Sequence, residues 1–414
     1  MVTNKEQNKL NVPHLRFPEF HGEWEKCKVS DLLDFYSTNS LSWDQLEYRT
    51  DNLLNLHYGL IHVGLPTMVD LSKDILPAIK KGNEPKNFEF CKEGDIAFAD
   101  ASEDTNEVAK AIEFYTLEDK AVVCGLHTIH GRDKSNKTVV GYKGYAFSST
   151  AFHHQIRRIA QGTKIYSISA KNFDECYIGI PSKEEQTKIA KLLRLIDERI
   201  ATQSKLIEKL ESLIKGINQR VFMNSGNNYK LGEICEIRSG YSGSQLLSKK
   251  GLKVSRIETI SGHKVNMERV GYVAPFESSE NYRLRVGDIL FSNINSVEYI
   301  GNTAFIDKDY DLYHGMNLLR LTPNHIVVIP FYLYLLLNTN RMLNRFKAVC
   351  NKAVSQASIN QTELGKTVVQ IPPINTQEQI CELYQALYTK LETESHTKSL
   401  FQNQKQYMLR QMFI

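Results

Sequence analysis

Four groups of residues in this 414-residue chain have the types that catalysis or ligand binding would use. His127 with His130, and the pair His153-His154, are potential metal ligands, yet no acidic or thiol partner stands at ligand spacing along an expected helix. They read as surface histidines or as hydrogen-bonded core histidines, and no metal ligand is assigned. Leu364-Gly365-Lys366-Thr367 resembles the end of a phosphate loop, but Asn360 stands where the first glycine must be, so a turn before a strand is expected. Asp95 and Asp288 each follow a glycine and precede an apolar run, Ile96-Ala97-Phe98 and Ile289-Leu290-Phe291. Turn formation explains that pattern better than a pair of reacting carboxylates. No glycine-rich cofactor loop follows a strand, and no catalytic residue is assigned.

Basic and amide side chains form the fourth group. Arg132, Lys134 and Lys137, then Arg157, Arg158 and Lys164 with Tyr166, punctuate the first part of the chain. Arg238, Tyr241, Ser244, Gln245, Arg256, Arg283, Arg285, Lys352, Ser355 and Gln356 do the same further on. Arginine can pair bidentately with guanine and glutamine with adenine, while lysine and serine mostly hold phosphates, so these are candidate contacts to double-stranded DNA. Any one of them could equally be a solvated surface charge. The glycine-rich run Ser239 to Gln245 is the sharpest choice, because flexible backbone beside Arg238 and Tyr241 can approach a groove closely. A net charge of +4 allows a polyanionic partner without requiring one.

The elements that must position these residues are written twice. Ile189, Leu193, Ile196, Ile200, Gln203, Ile207, Leu210, Ile214, Ile217 and Val221 alternate in steps of four and three, the seam of a long helix packed on another helix. Its opening, Ile180-Pro181 through Gln186 and Ile189, returns as Ile371-Pro372 through Gln377 and Ile380, and the register holds without a gap until Phe222 meets Phe413. Ser182 is a candidate N-cap, with Glu185 completing a capping box. Roughly 40 residues at about 1.5 Å rise give a rod of about 60 Å, longer than the ~34 Å turn of B-DNA. Asn224 to Asn228 reads as a linker. Smaller echoes support a tandem repeat: Lys28 to Leu32 with Lys230 to Ile234, Gly94-Asp95-Ile96 with Gly287-Asp288-Ile289, and Ser167-Ile168-Ser169 with Ser358-Ile359-Asn360.

The expected class is α+β: two mixed, β-rich domains and two long coiled-coil helices in a pseudo-two-fold repeat. The boundaries are 1–180 for the first domain, including an irregular lead-in 1–27, then a helix 181–224, a second domain 225–371 and a final helix 372–414. In the first domain short strands are expected over Ala121 to Ile129 and Tyr142 to Phe147, with Asp104 to Thr138 centred on a surface loop. The seven cysteines never form a C-x-x-C and read as reduced thiols. Met1 to Leu10 lacks a signal-peptide core and no tract is long enough for a membrane span, so a cytoplasmic location without membrane association is expected.

Arg16-Phe17-Pro18-Glu19-Phe20 with Gly22-Glu23-Trp24, the two Ile-Pro-x-x-x-x-Gln-x-x-Ile helix starts, the paired Gly-Asp-Ile turns and the Asn351 to Leu364 run make the chain resemble the specificity subunits of type I restriction-modification systems. The resemblance covers nearly the whole chain. It implies a non-catalytic subunit whose two target recognition domains each read half of a split DNA sequence. The helices would pair antiparallel, separate the domains and dock two methyltransferase subunits, with restriction and translocase subunits in the full complex. No cofactor is expected on this chain; S-adenosylmethionine, ATP and Mg belong to the partner subunits. The absence of an Asn-Pro-Pro or Asp-Pro-Pro motif before an aromatic agrees with a chain that does not itself methylate. Leu192, Leu206 and Leu213 lie off the helix seam and are expected to contact partner subunits. Glu394, Lys398 and Lys405 fall on seam positions of the last helix. Either that helix rotates to use Leu400 and Tyr407, or its polar positions, Lys398 and Lys405 among them, face the methyltransferase. The alternative is a coiled-coil scaffold that binds proteins without sequence-specific DNA binding.

Overall fold

The structure, a computed structural model, describes residues 11–48, 53–162, 164–222, 226–352 and 356–414. It divides into two compact units, Met1–Lys205 with Ser395–Ile414, and Leu206–Glu394. In the first unit the frame runs β1 (Glu25–Lys28), the single-turn helix α1 (Val29–Leu32), β2 (Leu33–Tyr36), β3 (Met68–Asp70), β4 (Ile96–Ala99), β5 (Ala111–Thr116), β6 (Thr128–Asp133), α2 (Lys143–Phe147), α3 (Thr150–Ile159), β7 (Tyr177–Ile180) and the start of α4 (Lys183–Val221). One sheet has the order β2-β6-β4-β5-β3, antiparallel except for its β5-β3 edge, and β1 pairs antiparallel with β7. Strand β4 is buried on both faces because it divides two cores. Ile96 and Phe98 pack with α2, α3 and α4, whereas Ala97 and Ala99 pack with Leu56, Ile61 and Cys91 from the segment between β2 and β4.

The second unit repeats this frame: β8 (Asn227–Lys230), α5 (Leu231–Ile234), β9 (Cys235–Ser239), β10 (Ile289–Ser292), β11 (Thr303–Phe305), β12 (Leu318–Pro323), α6 (Pro330–Leu337), α7 (Asn340–Val349), β13 (Val368–Ile371) and α8 (Ile374–Gln411). The sheet order β9-β12-β10-β11 matches β2-β6-β4-β5, and β8 pairs with β13 as β1 does with β7. The small echoes have physical causes. Gly94 and Gly287 take positive φ, 85° and 97°, and the next aspartate closes the turn by accepting from Lys92 N at 2.9 Å or Arg285 N at 2.8 Å. Ile168 N and Ile359 N each donate to the carbonyl after the central strand, Asp100 O and Asn293 O, at 2.9 Å.

The repeated glutamine anchors each long helix. Gln186 is buried; its Oε1 accepts from Val139 N at 2.9 Å and its Nε2 donates to Lys137 O and Pro181 O at 3.0 and 2.9 Å. Gln377 does the same with Ile329 N at 2.8 Å, Val327 O at 3.1 Å and Pro372 O at 2.8 Å. One amide therefore satisfies three backbone groups that neither helix nor sheet can pair. Of the expected capping box, Ser182 Oγ does accept from Glu185 N, but the Glu185 carboxylate turns to Arg16, whose Nε and Nη2 donate to it at 2.7 and 2.8 Å. The lead-in is thereby fixed to the start of α4.

The helices pair antiparallel. In the first unit the N-terminal half of α4 meets the last turns of α8, with Arg199 over the Phe401 ring and Lys405 Nζ 2.7 Å from Asp197. In the second, Phe222 and Asn218 near the end of α4 meet Tyr384 of α8. Phe222 ends in the second unit's core against Tyr332, and Phe413 in the first unit's core against Tyr142 and Trp24. No helix of the described residues is long and apolar enough to cross a membrane.

Four expectations change. Tyr142 to Phe147 is mostly helix α2, not a strand. A short apolar run does not reveal its period, and here the Glu113 carboxylate caps the turn by accepting from Gly141 N and Gly144 N at 2.9 and 2.8 Å. Asp104 to Thr138 is not centred on a loop but holds β5, β6 and the strand Val122–Cys124. Of the expected linker, Asn224 and Ser225 lie outside the described residues, while Asn227 and Asn228 begin β8. The last helix does not turn Leu400 and Tyr407 inward, as they are 54% and 49% exposed, and of its polar seam positions Lys405 turns inward to Asp197 and lies over the Tyr145 ring. Tyr145 also donates its hydroxyl to Asp197 at 2.9 Å, so this polar seam position is neutralised within the chain.

Candidate nucleic-acid interface

In the second unit the divergent segment between β9 and β10 is organised around Tyr313-His314-Gly315. Tyr241 bridges to Gly315, while Val254 and Arg283 both bridge to Tyr313. Tyr241 N donates to His314 O at 2.9 Å, and Gly315 N donates to Ser255 Oγ at 3.0 Å. The Tyr241 ring stacks on Phe276 at 4.0 Å and meets Tyr282 edge-on, making a small aromatic floor. His314 is buried at the centre, its Nε2 bonded to Leu318 O, and desolvation pulls its pKa down to about 4, which keeps it neutral near pH 7.

Six candidates lie on this segment, and two of them come together. Gln245 Oε1 and Arg256 Cδ both lie over Gly271, where an added Cβ would sit 2.8 and 3.1 Å from them, so the glycine leaves room for the pair. Arg256 is exposed, with Glu258 3.5 Å away, and Ser244 is exposed one residue before Gln245. Arg283 pairs with Asp309 at 3.0 Å, and its backbone is held by Arg320, which donates to Arg283 O at 3.0 Å. Tyr241 belongs to the aromatic floor, its ring half-buried there. Arg238 is exposed on β9 but is held by Glu236. Arg285 is exposed; its backbone N–H donates to the Asp288 carboxylate and its carbonyl accepts from Asp288 N. Lys352 and Gln356 are exposed beside Ser355, which lies outside the described residues.

The first unit disperses its candidates. Arg132 is the clearest correction: it points from β6 into an ion-pair network, its side chain only 17% exposed. Its Nε and Nη2 donate to Asp95 at 2.9 and 2.8 Å, its Nη1 donates to Glu89, and its guanidinium covers the Tyr36 ring. Those charge-assisted bonds hold Arg132 firmly protonated. Lys134 donates to Ser30 O at 2.8 Å, and Lys137 pairs with Glu25 at 2.5 Å. Arg157 and Arg158 are exposed at the end of α3, Arg157 donating to Asn106, and lead to exposed Lys164. Tyr166 is half-buried in a strand paired with Ala101–Ser102, so packing accounts for its ring.

The segment between β2 and β4 occupies the same place in the first frame as the Tyr241–Arg283 segment does in the second. It exposes Lys81 and Lys86, with Trp43 and Tyr48 also at the surface, none of them among the residues expected from sequence. The signal available was positional: the paired Gly-Asp turns mark where each divergent segment ends.

On the helices, Leu206 and Leu213 are exposed, Leu192 packs against the first unit's core, and Lys398 is half-buried. His127 and His130 part company. His127 is an exposed partner of Asp100, whereas His130 is buried, donating from Nε2 to Asp95 at 2.7 Å. Cys91, far before it in the chain, and Cys124, on the preceding strand, lie beside it.

Comparison with known proteins likewise finds one domain twice. The profile of the family described as type I restriction modification DNA specificity domain matches residues 72–212 and 225–400. A Methanocaldococcus jannaschii protein described as the specificity subunit of the type I restriction enzyme MjaX is 38% identical over 188 residues, 44% of each chain. The type I restriction enzyme EcoKI specificity subunit of Escherichia coli is 24% identical over 279 residues, 61% of this chain and 59% of its own. The chain thus spans less than two thirds of either relative. Among solved structures, the S subunit of a type I restriction-modification system from M. genitalium aligns at a TM-score of 0.58 with 16% identity, covering 97% of this chain and 99% of its own. A chain from a structure concerned with complex assembly and conformational transition of the type I R-M system aligns at 0.60, also at 16% identity, over 93% and 96%. The two likenesses are of fold, and the sequence match decides membership: this chain belongs to the type I restriction modification DNA specificity domain family and carries its domain twice.

Proposed function

We propose that the chain is the DNA sequence-specificity subunit of a type I restriction-modification complex. Each unit reads one half of a bipartite target, and the chain docks two methyltransferase subunits and, through them, restriction subunits. It contributes recognition and no catalysis; S-adenosylmethionine, ATP and Mg act on the partners. The observation that carries the reading is the common sheet-and-helix frame holding two unlike segments at the same position. A shared frame suits two equivalent partners, and unlike segments suit two unrelated half-sites, because base edges rather than backbone carry sequence information.

Within the second unit, Gln245 and Arg256 over Gly271 are the readers this proposal favours, with Arg285 as a phosphate contact. In the first, the Lys81 and Lys86 segment takes the corresponding part. The test is titration of labelled duplex with the chain assembled with its methyltransferase. Gln245→Ala and Arg256→Ala should each weaken specific binding by about 1–3 kcal/mol and relax preference in one half-site only. Arg285→Ala should weaken all sequences alike and reduce the salt dependence of binding. Unchanged affinity in all three would remove this surface from the reading.

A further inference from the structure

One buried cluster of the first unit is not used by DNA recognition. Cys91 lies just before the Gly94-Asp95 turn, Cys124 ends the strand Val122–Cys124, and His130 lies on β6. One donor atom from each lies within 4.8 Å of the other two, the sulfurs are 3.6 Å apart, and all three side chains are buried. His130 Nε2 is committed to the Asp95 carboxylate, and its Nδ1 is buried with no hydrogen-bond partner among the described residues. Arg132 and the Lys92 N–H in turn hold Asp95 in place.

Buried thiols are often no more than small apolar fillers. Here two features ask for more. A buried imidazole nitrogen with no partner is a cost that a hydrocarbon-like pocket leaves standing. The sulfur spacing is also close to the ~3.8 Å that two thiolates adopt on one tetrahedral zinc with Zn–S bonds of about 2.3 Å. The ring nitrogen opposite the vacant one is held by a carboxylate, the arrangement that orients and strengthens histidine ligands.

We propose that Cys91, Cys124 and His130 bind a structural zinc ion, with Asp95 positioning His130 from behind. Each thiol releases one proton to solvent as its sulfur binds, His130 binds through the Nδ1 lone pair, and a water fills the fourth position. Two thiolates neutralise the dication, so the occupied site can stay buried without a net charge. The sulfur and imidazole donors favour zinc over the hard cations magnesium and calcium. The ion would tie the segment between β2 and β4, through Cys91, to the sheet that supports it.

The experiment uses the full chain and zinc alone. Chain purified without chelator, or exposed to Zn²⁺ and desalted, should hold about one zinc, and Co²⁺ in its place should give thiolate-to-cobalt charge transfer and the intense visible bands of a tetrahedral site. Cys124→Ser and His130→Gln should lose the metal and the cobalt spectrum, while Cys176→Ser, a buried thiol elsewhere, should keep both. The wild-type cobalt titration does not depend on how the variants fold. Zinc well below one per chain after loading, a cobalt spectrum without charge transfer, or a Cys91–Cys124 disulfide in chain isolated without reductant would overturn the assignment.

Discussion

At the scale of single residues, a few side chains carry much of the architecture by satisfying backbone far from them in sequence. Gln186 and Gln377 each close three backbone groups. Gln186→Leu keeps the size but strands Val139 N–H and two carbonyls, and should destabilise the first unit by at least about 2 kcal/mol. Gln377→Leu should do the same to the second, and denaturant unfolding monitored separately in each unit would show which one moves. The residues left unread are those whose partners are distant along the chain. Arg132 looked like a free cation because Asp95 and Glu89 lie far before it, and spacing along a strand says nothing about the strand opposite. That Cys91 lies beside Cys124 and His130 was illegible for the same reason, since Cys91 stands far before both. By contrast, the turn role of Asp95 and Asp288 was legible because glycine, aspartate and the capped N–H are near neighbours.

At the scale of elements, the helix seam was readable because its period is local, and Ile189, Leu193, Ile196 and Ile214 are all buried. What the period cannot state is how a polar seam position is accommodated. Lys405 reaches Asp197 and Tyr145, so Lys405→Met should cost about 1–3 kcal/mol by stranding a half-buried carboxylate, and adding Asp197→Asn should recover most of it. A double-mutant cycle in urea tests this; equal loss in the single and double variants would contradict it. Off the seam, the exposed Leu206 and Leu213 offer apolar area to a partner. The pair Leu206→Lys and Leu213→Lys should leave the chain's own unfolding within about 0.5 kcal/mol but impair co-purification with the methyltransferase. Leu192, already packed on the first unit's core, should instead lower stability when changed.

At the scale of the whole molecule, the chain is one design used twice, with variation confined to the segments inserted into each sheet. The order β2-β6-β4-β5 recurs as β9-β12-β10-β11. A chimera that receives residues 240–286 from a relative of different specificity should therefore change one half of the methylated target and leave the other half unchanged. Methylome sequencing reads that directly, and a change in both halves would show that the units do not read independently.

The placement of Leu409, Met412 and Phe413 in the first unit's core has a consequence for biosynthesis. During translation the second unit emerges in full before these residues leave the ribosome. The domain made first must therefore wait, its hydrophobic interior open, for side chains made last, and that interval is when a nascent chain is most exposed to chaperones and to premature aggregation.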